Sequence, residues 1–380
     1  MRVRWLSYLA VPLAWLAGCT CHAPAAVGAP ATLAAVAVAT VDPSLPKIDV
    51  HMHIAPSTSS LALQLMAAAG IRIGLNASGG YPEGGLSDSV ALAQASQGHL
   101  LPYCNIRLSR AADADFAVYA HATLAACKTL GAVGLKIPKS LGLGAVGRDG
   151  RLLAVDDPVF DPLFEDAGKL GLPVLIHSGD PKAFFLPPTP NNERYQELLA
   201  HPAWSFYGLT PNGDPWPSWE SLLDQFERRV ARHPHTTFLG AHFGNAAEDP
   251  ARVSRMLRAH PNLVIDTAAR VPEFGRHSPS EMRAFFLEHQ DRVLFGSDLA
   301  VNPDGLSLGS SGAEPDTLAG VPAFFLAHWL YFETSTRGLK HPTPIQGSWT
   351  VDGVGLPKVV LEKLYYRNAM RVFGLRLPER

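Results

Sequence analysis

Short apolar runs alternate with stretches of helical spacing along most of the chain. Runs rich in Val, Ile and Leu begin near Ile48, Ile71, Leu101, Val133, Val174, Thr237, Leu263 and Val293. Each is a candidate strand. Helical periodicity marks 61–69, 88–97, 116–130, 159–170, 219–232, 250–259 and 279–289, and a last such stretch, 358–373, follows the eighth run. Eight strands each followed by a helix predict the α/β class and a closed parallel (β/α)8 barrel, the TIM barrel. Ser87 and Ser218 stand where N-caps are expected, Pro158, Pro250 and Pro279 near first-turn positions, and Gly98, Gly131 and Gly171 after last turns. No repeat shows beyond the strand-helix alternation.

Two long loops interrupt the pattern, at about 180–217 after the fifth strand and about 300–355 after the eighth. Both are rich in Pro, Gly and aromatics, among them Phe184, Phe185, Tyr195, Trp204, Phe206, Trp216, Trp329, Tyr331 and Trp349. In a barrel these loops lie on the C-terminal face, where active sites are built. They read as walls of a pocket or as a satellite core of their own.

The first 46 residues depart from this pattern. Arg2 and Arg4, an apolar stretch from Trp5 to Leu16 and small residues before Cys19 form the three parts of an export signal, and the stretch is too short to be a good spanning helix. Leu16-Ala17-Gly18-Cys19 resembles a bacterial lipobox, which implies that Cys19 is a lipid anchor on the cell envelope, at its periplasmic face. An ordinary secretory signal or an uncleaved anchor are the competing readings. The expected organisation is a signal over 1–18, an Ala/Pro-rich tether over 19–46 and a barrel domain over 47–380.

The 380 residues are 47% hydrophobic and 17% charged, which suits a large packed core. A net charge of -2 with no long basic run argues against nucleic acid as a partner. Membrane contact is expected only through the anchor. Of the four cysteines, Cys19 and Cys21 belong to the leader, which leaves Cys104 and Cys127 for the body. An exported protein could bridge them, but both also fit as buried free thiols, and the pairing stays open.

Ionisable residues gather where the apolar runs end. The first run, Ile48-Asp49-Val50-His51-Met52-His53, puts His51 and His53 on one strand face. The fourth ends in Lys136, the fifth in His177, the sixth in His242 and the eighth in Asp298. Alone, a His-x-His pair is a weak signal. Imidazoles and a carboxylate converging from four strand ends point to a metal site.

These residues resemble the amidohydrolase superfamily, more narrowly its amidohydrolase-related branch, which includes aminocarboxymuconate semialdehyde decarboxylase. The match rests on His51-x-His53 with Asp49 before it, His177, Gly240-Ala241-His242, Gly296-Ser297-Asp298 and the tail 366–374. The resemblance implies that His51, His53, His177 and Asp298 hold one divalent metal, most often Zn2+ with Mn2+ as the alternative, and that His242 stands beside it to polarise the substrate or orient water. Asp298 would shuttle the proton. Asp49 would either fix an imidazole or satisfy nearby backbone. Lys136 occupies the place where two-metal members carry a bridging carboxylated lysine. The branch usually holds one metal, so an unmodified Lys136 that binds an anionic group is the expectation. Arg107, Asn105 and Arg270 are further candidates for holding a substrate carboxylate or hydroxyl, with surface salt bridges as the other explanation for the arginines.

The leading functional expectation is a metal-dependent hydrolase, with activated water attacking an ester, lactone or amide carbon of a small molecule. Non-oxidative decarboxylation is the alternative, since the branch performs both. A catalytically silent binding barrel ranks third, because the ligand set is intact. The branch often forms dimers, so a homodimer is also expected.

Overall fold

The computed structural model describes residues 42–179 and 181–378. The signal, its Cys19 and the tether up to residue 41 lie outside the described residues. Eight staves run in chain order: Lys47–Ile54, Ile71–Asn76, a third in two pieces (Leu100–Pro102 and Cys104–Asn105), Leu135–Ile137, Val174–Ile176, Phe238–Gly240, Leu263–Asp266, and an eighth in two pieces (Val293–Leu294 and Leu299–Asn302). Neighbouring staves are parallel. The ring closes where the second piece of the eighth stave pairs with the first, Met52 opposite Leu299. This is the (β/α)8 barrel that the alternation predicts.

The breaks in the third and eighth staves have a function in the ring. The first half of each pairs with the preceding stave and the second half with the next, so each break shifts the register between neighbours. At the eighth stave, the Val50 amide donates to the Phe295 carbonyl at 3.0 Å and the Asp298 amide to the His51 carbonyl at 2.9 Å, which carries pairing across the break. The sequence reading ended this strand at Asp298. The structure continues it to Asn302 and turns it into a hairpin with Gly305–Leu308.

Ile73, Leu75, Leu175, Leu239, Val264 and Leu294, from five staves, form one buried cluster against which Tyr366, Met370 and Phe373 of the C-terminal helical segment pack. Leu175 and His177 are two residues apart on their stave, as are Val264 and Asp266, so each pair shares a face. Polar site groups therefore cap one end of an apolar core. A larger cluster joins the outer faces of the staves to the surrounding helices.

Helix ends follow the expected chemistry at most points. Ser218 accepts from the Ser221 amide, and Ser278 with Glu281 forms a capping box ahead of Pro279. Ser87 is not a cap: its helix begins one residue earlier, at Leu86, behind the left-handed Gly85. The second insertion contains a 13-residue helix, Val321–Glu333, that the periodicity did not reveal. Val321, Phe324, Phe325, His328, Trp329, Tyr331 and Phe332 are buried around it. A helix covered on most sides carries no polar stripe to read. No described helix is long and apolar enough to cross a membrane.

Two covalent or ionic ties hold the loops. Cys104 and Cys127 form a disulfide, with Cα atoms 5.9 Å apart, between the third stave and the helix Phe116–Leu130. Arg194, fully buried in the first insertion, pairs with Glu197 at 2.9 Å and with Glu273 beyond the seventh stave. Glu197 also accepts from the Ser310 hydroxyl in the second insertion. The aromatics of the first insertion pack mostly on one another, Phe184 on Trp204, Phe185 on Phe206, and Phe206 on Trp216.

Candidate metal centre and active site

The C-terminal ends of the staves bring His51, His53, Lys136, His177, His242, Asp266 and Asp298 together. His51 Nε2 lies 3.6 Å and His53 Nε2 3.5 Å from Asp298 Oδ1. The ring centroid of His242 is 4.9 Å from that of His51 and 4.5 Å from that of His177. One ligand atom each of His51, His242 and Asp298 falls within 4.8 Å of the others. The donors suit a divalent ion: imidazoles and a carboxylate at mutual distances one ion can span. The grouping includes His242, which the sequence reading had placed beside the metal. His53 is 32% exposed and Asp298 20%, while His51, Lys136, His242 and Asp266 are buried, so the cluster opens on the His53 and Asp298 side.

The tautomers follow from the partners of each Nδ1. His51 Nδ1 donates to Asp266 Oδ2 at 3.0 Å and His242 Nδ1 to the Ala268 carbonyl at 3.0 Å. His53 Nδ1 meets the Ser78 hydroxyl at 2.7 Å. In His51 and His242 the lone pair is left on Nε2. Burial, with help from nearby cations, holds the pKa of both well below the usual histidine range, and burial pushes His53 down to about 3. Neutral imidazoles are the form that binds metal.

The acids shift the other way. Burial raises Asp298 to about 7, against the pull of Lys136 and Arg270. Burial likewise raises Asp266 to about 6, opposed first by Lys136. Lys136 is lowered to about 8 by burial, while Asp266 and Asp298 favour its charge. Its Nζ donates to His51 Nε2 at 3.2 Å.

Asp266 was missed in the sequence, although the seventh run, Leu263-Val264-Ile265-Asp266, ends in an acid as the eighth does. Its Oδ1 takes the amides of His242 at 2.8 Å and Ala268 at 3.1 Å while Oδ2 takes the His51 ring. Asp49 does not fix an imidazole. It accepts the amides of His51 at 3.0 Å and Ser297 at 3.1 Å and the Ser297 hydroxyl, which is the backbone-satisfying role.

Backbone conformation adds a signal that composition hides. Among the described residues, His242, Phe243, Asn245, Ala269 and Asp298 have positive φ, between 53° and 63°, and only Gln97 elsewhere joins them outside glycine. Non-glycine residues in this region cost energy and gather at functional sites. Here they turn the chain sharply after the sixth and seventh staves and within the break of the eighth.

The remaining candidates divide. Arg270 is buried, donates to the Ala269 carbonyl at 2.9 Å, and its charge is felt by Asp298 and His242. Asn105 is engaged elsewhere: its amide nitrogen donates to the Ala77 carbonyl at 3.0 Å and its oxygen accepts the Gly80 amide at 2.8 Å. Arg107 stacks over Tyr81 and lies 4.0 Å from Glu83, both partners 46% exposed. Neither is among the groups that meet at the cluster.

The family model described as Amidohydrolase matches residues 48–375. No curated protein matches the chain. Among solved structures, a 2,6-dihydroxybenzoate decarboxylase from Rhizobium is 16% identical, with 87% of this chain and 98% of that one covered at a TM-score of 0.50. A dihydroxybenzoic acid decarboxylase from Polaromonas sp. JS666, with bound manganese and the inhibitor 2-nitroresorcinol, is 13% identical, with 87% and 97% covered at a TM-score of 0.50. At such identities the likeness to these structures is one of fold. The family match spans nearly the whole described body, and the chain belongs to the amidohydrolase family of metal-dependent barrel enzymes.

Proposed function

We propose that the protein hydrolyses an ester, lactone or amide bond of a small molecule with one divalent ion, Zn2+ first among the choices. The observation that carries this reading is Asp298. Its Oδ1 lies 3.6 Å from His51 Nε2 and 3.5 Å from His53 Nε2, so the carboxylate can touch the ion and take a proton from the water beside it. His51, His53, His177 and Asp298 would hold the ion, with His242 Nε2 as a further donor. A divalent ion there supplies Lewis acidity, polarising a substrate oxygen and making water more acidic. Asp298 accepts the proton of the attacking water and passes it to the departing oxygen or nitrogen. His242, neutral with its Nδ1–H donated to the Ala268 carbonyl, offers a lone pair from Nε2, so it must gain a proton before it can donate to a developing oxyanion. Arg270 and Lys136 supply positive charge for an anionic part of the substrate.

The cell envelope is the proposed place of work. The lipobox-like segment at Cys19 and the disulfide between Cys104 and Cys127 both suit an exported protein, since bridges persist in oxidising compartments. An exported enzyme meets external material, for which hydrolysis is a common task. Decarboxylation is the second reading. The cationic pair Arg270 and Lys136 beside Asp298 would suit a carboxylated aromatic, and the two solved relatives above are decarboxylases by name.

The deciding experiment offers the zinc-loaded protein a panel of esters, lactones and amides, beside carboxylated aromatics monitored for released carbon dioxide. Turnover of the first set supports hydrolysis. Carbon dioxide release with no hydrolysis overturns it in favour of the second reading.

A further inference from the structure

Three imidazoles of the cluster, His51, His53 and His242, are not held alike at Nδ1. His51 leans on Asp266, a carboxylate carried by a stave, and His242 on a backbone carbonyl. His53, the one open to solvent, leans on the hydroxyl of Ser78, an exposed residue in the loop after the second stave. The aim of His53 thus depends on what fixes that loop.

Side chains and close backbone contact fix it. Asn76 Oδ1 accepts the amides of Ser78 at 3.1 Å and Ile54 at 2.9 Å, tying the loop to the residue after His53. Asn105 grips the loop on both sides of Ser78, through the Ala77 carbonyl and the Gly80 amide. Between them, Gly79 lies so close to the Tyr103 carbonyl oxygen that any side chain there would collide with it. The loop therefore rests directly on residues 103–105. Cys104, in the middle of that segment, is bridged to Cys127 on the helix Phe116–Leu130.

We propose that the Cys104–Cys127 bridge and Asn105 hold the 77–80 loop so that Ser78 aims His53, making Ser78 and Asn105 positioning residues for metal retention and making retention depend on the oxidised bridge. The inference rests on the metal-dependent reading above. It assigns Asn105 a role away from substrate and gives the bridge a purpose beyond general stability. A protein of this design assembles its full-strength metal site only where the bridge can form. Reduction by a dithiol moves two electrons and two protons, leaving two thiols here and a disulfide in the reagent. Both sulfurs are buried, so exchange waits on local opening.

The test is zinc affinity of the full-length chain, measured by competition with a chromogenic chelator. Loss of a hydrogen bond that orients a metal ligand lowers metal affinity about 10- to 100-fold. Ser78→Ala should fall in that range, and Ser78→Thr should recover most of it. Asn105→Ala and the Cys104→Ala, Cys127→Ala pair should each lower affinity, and either change should add little on top of Ser78→Ala, because all act through one contact. Ser78 is exposed, so its variants test the idea even where the cysteine pair fails to fold. Affinity unchanged in Ser78→Ala, or bridge and serine effects that simply add, would overturn the proposal. A wild-type chain that takes up no zinc would overturn the metal-dependent reading with it.

Discussion

Asp266 Oδ2 accepts the Nδ1 proton of His51 at 3.0 Å, and this contact decides which His51 nitrogen faces the cluster. The same carboxylate holds the amides of His242 and Ala268 with its other oxygen, so one side chain sets a ring and a backbone turn together. Asp266→Asn keeps one acceptor for the two amides but turns an NH2 toward His51. His51 would then move its proton to Nε2 and lose the lone pair that Lys136 and a metal compete for. Zinc affinity should drop by about 10- to 100-fold, read by chelator competition. An affinity equal to wild type would show that His51 is not oriented through this carboxylate.

Most of the fold was legible because barrel staves are apolar on both faces and stand out as runs. The helix Val321–Glu333 was not, since burial on most sides erased its periodicity. At the site, His51, His53, Lys136, His177, His242 and Asp298 could be read from where runs end. Asp266 obeys that rule as well, since it is the last residue of the seventh stave. Asn105 ends the third stave and Arg107 follows it by two residues, and their chemistry in sequence is that of ligand holders. Only the loop contacts of Asn105 and the Tyr81 and Glu83 contacts of Arg107 show otherwise. The left-handed conformations of His242, Ala269 and Asp298 leave no mark in residue type at all.

The two arginines offered for substrate binding should part company when mutated. Arg270→Ala removes a buried cation from beside Asp298 and should raise KM for anionic substrates at least several-fold while sparing neutral ones. Arg107→Ala removes an exposed pair at 4.0 Å, worth under about 1 kcal/mol, and should leave both KM and stability near wild type. Steady-state kinetics on a matched charged and neutral pair, 4-acetoxybenzoate and phenyl acetate, would read the difference. Equal effects of the two changes would contradict this division.

Arg194 is the ionic link between the first insertion and the turn beyond the seventh stave. Replacing it with Met leaves Glu197 buried without a cation and Glu273 with Arg276 alone, and breaking such a buried pair costs about 3–5 kcal/mol. Chemical denaturation should show a loss of that order. Limited proteolysis should begin within 180–217 before the barrel itself is cut. A variant as stable and as resistant as wild type would mean that the aromatic packing of the first insertion suffices without the ions.

His328 gives a pH signature well separated from the site chemistry. The ring is fully buried among Phe295, Phe324 and Trp329, its Nδ1 donates to the Phe324 carbonyl at 2.8 Å, and burial lowers its pKa to about 4. The unfolded chain, with an ordinary histidine near 6.5, takes up the proton first as pH falls. The stability gained by keeping this ring neutral is therefore complete above 6.5 and is lost between 6.5 and about 4. A shift of this size corresponds to a swing on the order of 3 kcal/mol. The buried acids Asp49, Asp266 and Asp298, with raised pKa values, act in the opposite sense, losing their contribution as pH rises toward about 7. Comparing the wild type with His328→Phe cancels those terms, because both proteins carry them. Unfolding free energies at about pH 7.5 and about pH 4.5 should differ less in the variant, by roughly that swing. Equal pH dependence in the two proteins would mean that the ring finds a proton-accepting partner on acidification, and that its burial does not govern acid stability.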